Sequence, residues 1–131
     1  MITIVSMFAL LQAAAPLPAP AVLPTPKGTA NYVSEKDYPR AAQRDKAQGT
    51  VTVGYRVGTN GRVESCSVVT SGNNAALDET TCDIVKRWRF NPARDASGEK
   101  VPHDQTLTIA WRIAPAPCGK LPAEAICITL D

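Results

Sequence analysis

Histidine occurs once in this sequence, at position 103, and none of the four cysteines stands in a C-x-x-C pair. A single imidazole in a charged stretch, with no second ligand near it in sequence, offers no metal site. The cysteine spacing likewise indicates neither a zinc ribbon nor a thioredoxin-like redox pair. Charge of one sign is also scarce: the formal net charge is +2, with acids and bases interleaved, so the basic face that nucleic acid requires is missing. Ser71, Asp78 and His103 are triad residue types, but no nucleophile-elbow motif surrounds the serine, and hydrolysis is not indicated. Neither an enzyme nor a bound cofactor is expected.

The apolar run at 2–15, "ITIVSMFALLQAAA", is shorter than the roughly 20 residues a membrane span needs. It is uncharged, ends in small residues and then meets Pro16, Pro18 and Pro20, the pattern of a signal-peptide core, although no Lys or Arg precedes it. Cleavage near Leu11-Gln12-Ala13 or at Ala19-Pro20-Ala21 suits the small-residue rule, and export is expected. The alternative is an apolar tail on a cytosolic protein. Because no cysteine precedes Cys66, a lipid anchor at the cleavage site is excluded. In an oxidising compartment an even number of cysteines reads as disulfides with three connectivities, of which the sequential one, Cys66 with Cys82 and Cys118 with Cys127, is favoured. Free thiols would require a reducing compartment.

From 16 to 37 the chain is rich in Pro and Ala, lacks apolar periodicity and is expected to be an extended linker. The rest of the chain suits one domain, since 131 residues at 44% apolar build a modest core. "DYPRAAQRDKAQG" predicts a short helix with Asp37 as N-cap and Gly49 as its stop. "GTVTVGYRV" alternates Val51, Val53, Tyr55 and Val57 with small or polar residues, a half-buried strand. Asn60-Gly61 supplies a tight hairpin, and "VESCSVVTS" returns antiparallel, with Val63, Cys66 and Val68 inward and a bulge near Ser65. Leu77, Thr81, Ile84, Val85 and Trp88 share one helical face, with Pro92 forbidding continuation. "RDASGEKVPHD" reads as an exposed turn region, and "QTLTIAWRI" as a third strand with Leu107, Ile109, Trp111 and Ile113 on one face. Cys66 on a strand and Cys82 on the flank of the helix's apolar face can form a strand-to-helix staple.

Tyr38-Pro39 with Ala42, Gly49 before a strand, Asn60-Gly61-Arg62-Val63, Ser71-Gly72, Leu77-Asp78, Arg89-Phe90-Asn91-Pro92-Ala93 and Gly98, in that order, resemble the TonB C-terminal domain family over 38–113. The resemblance implies an α+β fold with two helices packed on a three-stranded antiparallel sheet. It also implies a periplasmic location and recognition of a short segment, the TonB box, near the N-terminus of an outer-membrane TonB-dependent transporter. In the family the box adds as a strand beside the last strand of the domain, which maps here to Leu107, Thr108, Ile109, Ala110, Trp111, Arg112 and Ile113. Backbone groups on that edge would supply affinity and side-chain pockets selectivity. Glu35, in the stretch just before Tyr38 where the resemblance implies a transporter-contacting segment, and Tyr38 and Pro39 beside it are candidate partner contacts. Energy would come from a proton-driven inner-membrane complex, with 1–15 kept as an anchor. The alternative is a cleaved, soluble periplasmic binding module or decoy with the same contacts and no force. A free edge also permits homodimers by strand exchange.

The remaining residues, 114–131, form an extension in which Ile126, Ile128 and Leu130 alternate as in a strand. Closed by Cys118 and Cys127, it could pair with the edge a transporter would use, or merely cover an aggregation-prone edge.

Overall fold

The alternation in 49–57 and the helical face in 77–88 build two layers in the computed structural model, which describes residues 17, 19–29 and 31–131. The expected signal or anchor segment, 1–15, lies outside the described residues. Among them, no helix is long and apolar enough to cross a membrane.

The main elements are α1 (Arg40–Arg44), β1 (Gly49–Val57), β2 (Val63–Thr70), α2 (Ala75–Arg87), β3 (His103–Ile113) and β4 (Ile126–Leu130). They make one sheet of order β2-β1-β3-β4, antiparallel between the first three strands as expected and parallel between β3 and β4. The C-terminal extension thus supplies a fourth strand.

β1 buries Val51, Val53, Tyr55 and Val57 on the face that α2 covers with Leu77, Thr81, Cys82, Ile84 and Val85. α2 starts at Asn74, whose Oδ1 accepts from the Leu77 N–H at 3.1 Å, and Asp78 in its first turn accepts from Ser71 Oγ and the Gly72 N–H. Asp78 is therefore a structural carboxylate. His103 pairs in register with Val57, while Gly72 packs on Gly49 at the opposite end of β1. The separation is on the order of 25 Å along the strand, so Ser71, Asp78 and His103 do not assemble.

Gly61, at φ 78°, turns the β1–β2 hairpin, and a Cβ there would stand 2.0 Å from the Phe90 carbonyl oxygen. The chain leaving α2 packs directly on this turn, with the Phe90 N–H donating to Gly61 O at 2.9 Å. β2 carries two irregularities. Arg56 faces Ser65 while Val57 faces Val63, leaving Glu64 unpaired beside the expected bulge; Val53 faces Val68 while Thr52 faces Thr70, leaving Val69 unpaired as well. Val68, expected inward, is left 43% exposed beside this second bulge.

Three other expectations are corrected. α1 is a single turn ended by Lys46 at φ 51°, and Gly49 already belongs to β1. Asp37 does not cap α1: it closes a one-turn 3-10 helix, Glu35–Asp37, and accepts backward from the Ser34 N–H at 3.0 Å. The Pro-rich segment is not simply a tether. Thr25–Pro26 pairs antiparallel with Phe90–Asn91, Val22 and Arg94 exchange two backbone hydrogen bonds, and the Asn31 amide both donates to Arg89 O and accepts from Arg89 N–H. Leaving α2 extended, residues 89–94 expose backbone groups that this segment satisfies, and prolines suit such an edge because they bring fewer donors to satisfy.

Tyr38 and Trp111 close the core, edge to face at 5.2 Å between ring centroids. The Cys66–Cys82 disulfide ties β2 to α2, with Cα atoms 5.7 Å apart.

Candidate functional site

β3 is a long strand with two unlike sides. One side is paired along its length to β1, from Gly49 opposite Trp111 to Val57 opposite His103. On the other side β4 covers only 109–113, running from Ile109 beside Ile126 to Ile113 beside Leu130. Among the described residues, no strand pairs with 103–108 on that side.

Backbone direction follows from the alternation of a strand. The Ile113 N–H turns toward β1, where Gln48 Oε1 accepts it at 2.8 Å, and the Ala114 N–H turns the other way, to Leu130 O at 2.8 Å. Counting back by twos, the amides of Asp104, Thr106 and Thr108 face the β4 side. The strand expected from the sequence starts only at Gln105, because His103 and Asp104 look like loop; the missed signal is that the alternation runs on through both. An open edge tolerates their polarity.

Of the residues expected to form the edge, Leu107, Ile109 and Trp111 point into the core, and Ala110, flanked by Thr50 and Cys127, is also buried. Thr108, Arg112 and Ile113 are half-buried. The Arg112 guanidinium donates to Thr50 Oγ1 and Trp111 O. A binding strand here would therefore meet backbone plus a line of half-covered side chains, and the chemistry available is hydrogen bonding and apolar contact.

Glu35 is exposed on the 3-10 turn and Pro39 is half-buried at the start of α1. Tyr38 is not available as a surface contact. It is 2% exposed, its ring lies against Trp111, and its hydroxyl donates to Ala47 O. Burial raises its pKa, with Arg112 acting in the opposite direction.

Beside the uncovered half of β3 lies a shallow trough of about 700 Å³, lined in part by Arg56, Ser65, Ser67, Asp104, Thr106 and Glu124. Arg56 donates twice to Asp104, at 2.7 and 3.0 Å, and this bonding holds the Asp104 carboxyl below its usual pKa. Both groups are largely solvated, so the pair shapes the trough more than it stabilises the fold.

β4 brings its own apolar face: Ile126 sits beside Ile109, Ile128 beside Trp111 and Leu130 beside Ile113, with Ile128 buried at 7% exposure. Cys127, on the opposite face, is joined to Cys118 in the segment that turns back after β3, so both disulfides follow the sequential pairing.

Residues 34–113 match the family model described as the Gram-negative bacterial TonB protein C-terminal. The chain belongs to this family. Protein TonB of Xanthomonas campestris pv. campestris (strain B100) is 40% identical over 63 residues, 48% of this chain and 28% of that protein. Protein tonB2 of Pseudomonas aeruginosa is 37% identical over 71 residues, 53% of this chain and 26% of that protein. The matched part thus amounts to between a quarter and a third of these TonB proteins. The fold is similar to the solution NMR structure of the Pseudomonas aeruginosa TonB CTD, with a TM-score of 0.55 at 24% identity, covering 72% of this chain and 90% of that one. The TonB family match ends at Ile113, so β4 and the Cys118–Cys127 bridge lie beyond it.

Proposed function

We propose that this chain is a periplasmic TonB-type domain that engages an outer-membrane TonB-dependent transporter and couples it to energised transport. The transporter's N-terminal TonB-box segment adds as a strand to the outer edge of β3, at 107–113 and the neighbouring open residues. Force would be supplied by a proton-driven inner-membrane complex acting through an N-terminal anchor. Glu35, on the 3-10 turn that lies against β4, and Pro39, at the start of α1, are the remaining candidate partner contacts.

The observation that carries this reading is that β3 accepts a strand on the side away from β1, from a segment not joined to it by a hairpin. Each backbone hydrogen bond contributes a net ~1 kcal/mol, less the cost of ordering the incoming peptide, so short segments bind weakly unless side chains also find seats. Family membership supports the choice of a transporter segment over other extended peptides.

The test is an NMR titration of the oxidised chain with peptides from the N-termini of outer-membrane transporters. Shifts concentrated in 103–113 are expected. Shifts confined to β2 or the helices would move the site elsewhere.

A further inference from the structure

Three features of the extension belong together. First, β4 lies on the very side of β3 assigned to the partner, and its three apolar side chains follow the inward face of β3 residue for residue. Second, the connection is folded back tightly. After Ile113 the chain turns, with the Ala116 N–H donating to Ile113 O and the Ala114 N–H to Leu130 O, and Cys118 is then bonded to Cys127, the second residue of β4. The bridge roughly halves the flexible path between the two strands, from all of 114–125 to 114–117 plus the disulfide. Third, β4 stops short of 103–108, leaving the amides of Asp104 and Thr106 open beside it.

We propose that β4 is a built-in competitor for the partner's strand, that the Cys118–Cys127 bridge latches it in place, and that the open half of β3 is where an incoming peptide begins to displace it. The inference rests on the reading of β3 as the transporter edge. A tethered strand acts at a high effective concentration, which a free peptide must overcome, and shortening the tether raises that concentration further. Halving a flexible connection changes closure by about threefold, and a bridge that also fixes the direction of the strand adds to this. Pairing that starts at Thr106 and Thr108 and advances toward Ile113 exchanges one backbone bond for another at each step, so the competitor can leave without the sheet coming apart.

The test uses the full chain in three forms: oxidised, Cys118→Ser/Cys127→Ser, and Ile128→Ser, which keeps the bridge but removes the buried seat. The Trp111 indole proton resonance reports whether each form keeps its core. Two probes are titrated, a synthetic peptide copying residues 124–131 with serine at 127, and a transporter N-terminal peptide. In the double-serine form, amide exchange in Ile126–Leu130 should quicken at least about threefold, and both probes should bind the 109–113 side at least about threefold more tightly than in the oxidised chain. Ile128→Ser should have the same sense. Unchanged exchange in Ile126–Leu130 in both variants overturns the latch, whatever the partner. If the transporter peptide binds all three forms equally through 109–113, the latch falls while the transporter reading stands. If the opened forms bind the chain's own strand and ignore transporter peptides, the transporter reading falls and takes the latch's role with it.

Discussion

Trp111 on β3 donates its indole N–H to Thr81 Oγ1 on α2 at 3.1 Å, and Thr81 in turn donates to Leu77 O at 2.8 Å. Both side chains are fully buried. The strand that carries the candidate site is thereby fixed to the helix through one hydroxyl, that of the sole buried polar residue outside the aromatics among the described residues. Replacing Thr81 by Val keeps the volume and removes the acceptor. A buried indole N–H left without a partner costs about 1–3 kcal/mol. At roughly 4–8 °C per kcal/mol for a domain near this size, Thr81→Val should lower Tm clearly, as read by thermal melting. A change within about 1 °C would mean that the indole finds another acceptor.

The Cys66–Cys82 bridge spans 16 residues of sequence and joins β2 to the flank of α2. Closing a loop of about that size is worth roughly 3 kcal/mol in the chain-entropy model. Cys66→Ala/Cys82→Ala should therefore lose most of that in urea unfolding. Removing Cys118 and Cys127 should cost the core much less, because that bridge lies within the extension. Equal losses from the two pairs would show that β4 is as integral to the core as α2.

Tyr55 lies inward on β1, stacked on Phe90, with its hydroxyl donating to Gln105 Oε1 at 3.0 Å. Burial pushes its pKa from 10.0 up to about 12. A raised folded-state pKa means that the native state holds its phenolic proton where the unfolded chain has released it. The contribution to stability is thus complete below pH 10 and is lost as pH rises to about 12. Tyr55→Phe should flatten the fall of Tm across that window. A parallel fall in both proteins would assign the alkaline loss to other groups.

Much of this fold is legible because its period is clean. Val51 through Val57, Leu107 through Trp111 and the α2 face from Leu77 to Trp88 each bury the side the spacing requires, with Ala110 buried on the other face of β3 as well. Elsewhere the determining contacts leave no periodic trace. The docking of Thr25–Pro26 depends on backbone groups and the amide of Asn31, invisible to any apolar pattern. Asp37 has two capping roles open to it and takes the backward one. Alternation at Ile126, Ile128 and Leu130 announces a strand but is the same read in either direction, so the parallel course of β4 is decided by its connection and its bridge. Tyr38 looks like a surface residue next to Pro39 because nothing local reveals that Trp111 lies beneath it.

If the open half of β3 is where a partner's strand begins to pair, its backbone donors should matter while its side chains matter little. Thr106 is exposed and faces Gly54 in the β1 register, with its own N–H on the side away from β1. Proline there removes that one donor and leaves the β1–β3 bonds of Gln105 and Leu107 intact, a position of the kind proline tolerates on an edge. Thr106→Pro should therefore keep the fold, read from an unchanged Trp111 indole resonance, and weaken transporter-peptide binding about fivefold or more, the loss expected when a hydrogen bond of about 1 kcal/mol goes unmade. Thr106→Val, which keeps the donor and alters only the side chain, should bind within about twofold of the parent chain. Equal losses in the two variants would place recognition in the side chains lining the trough, with Arg56 and Asp104 the next residues to change, whereas no loss in either would mean that pairing begins at the covered end of β3.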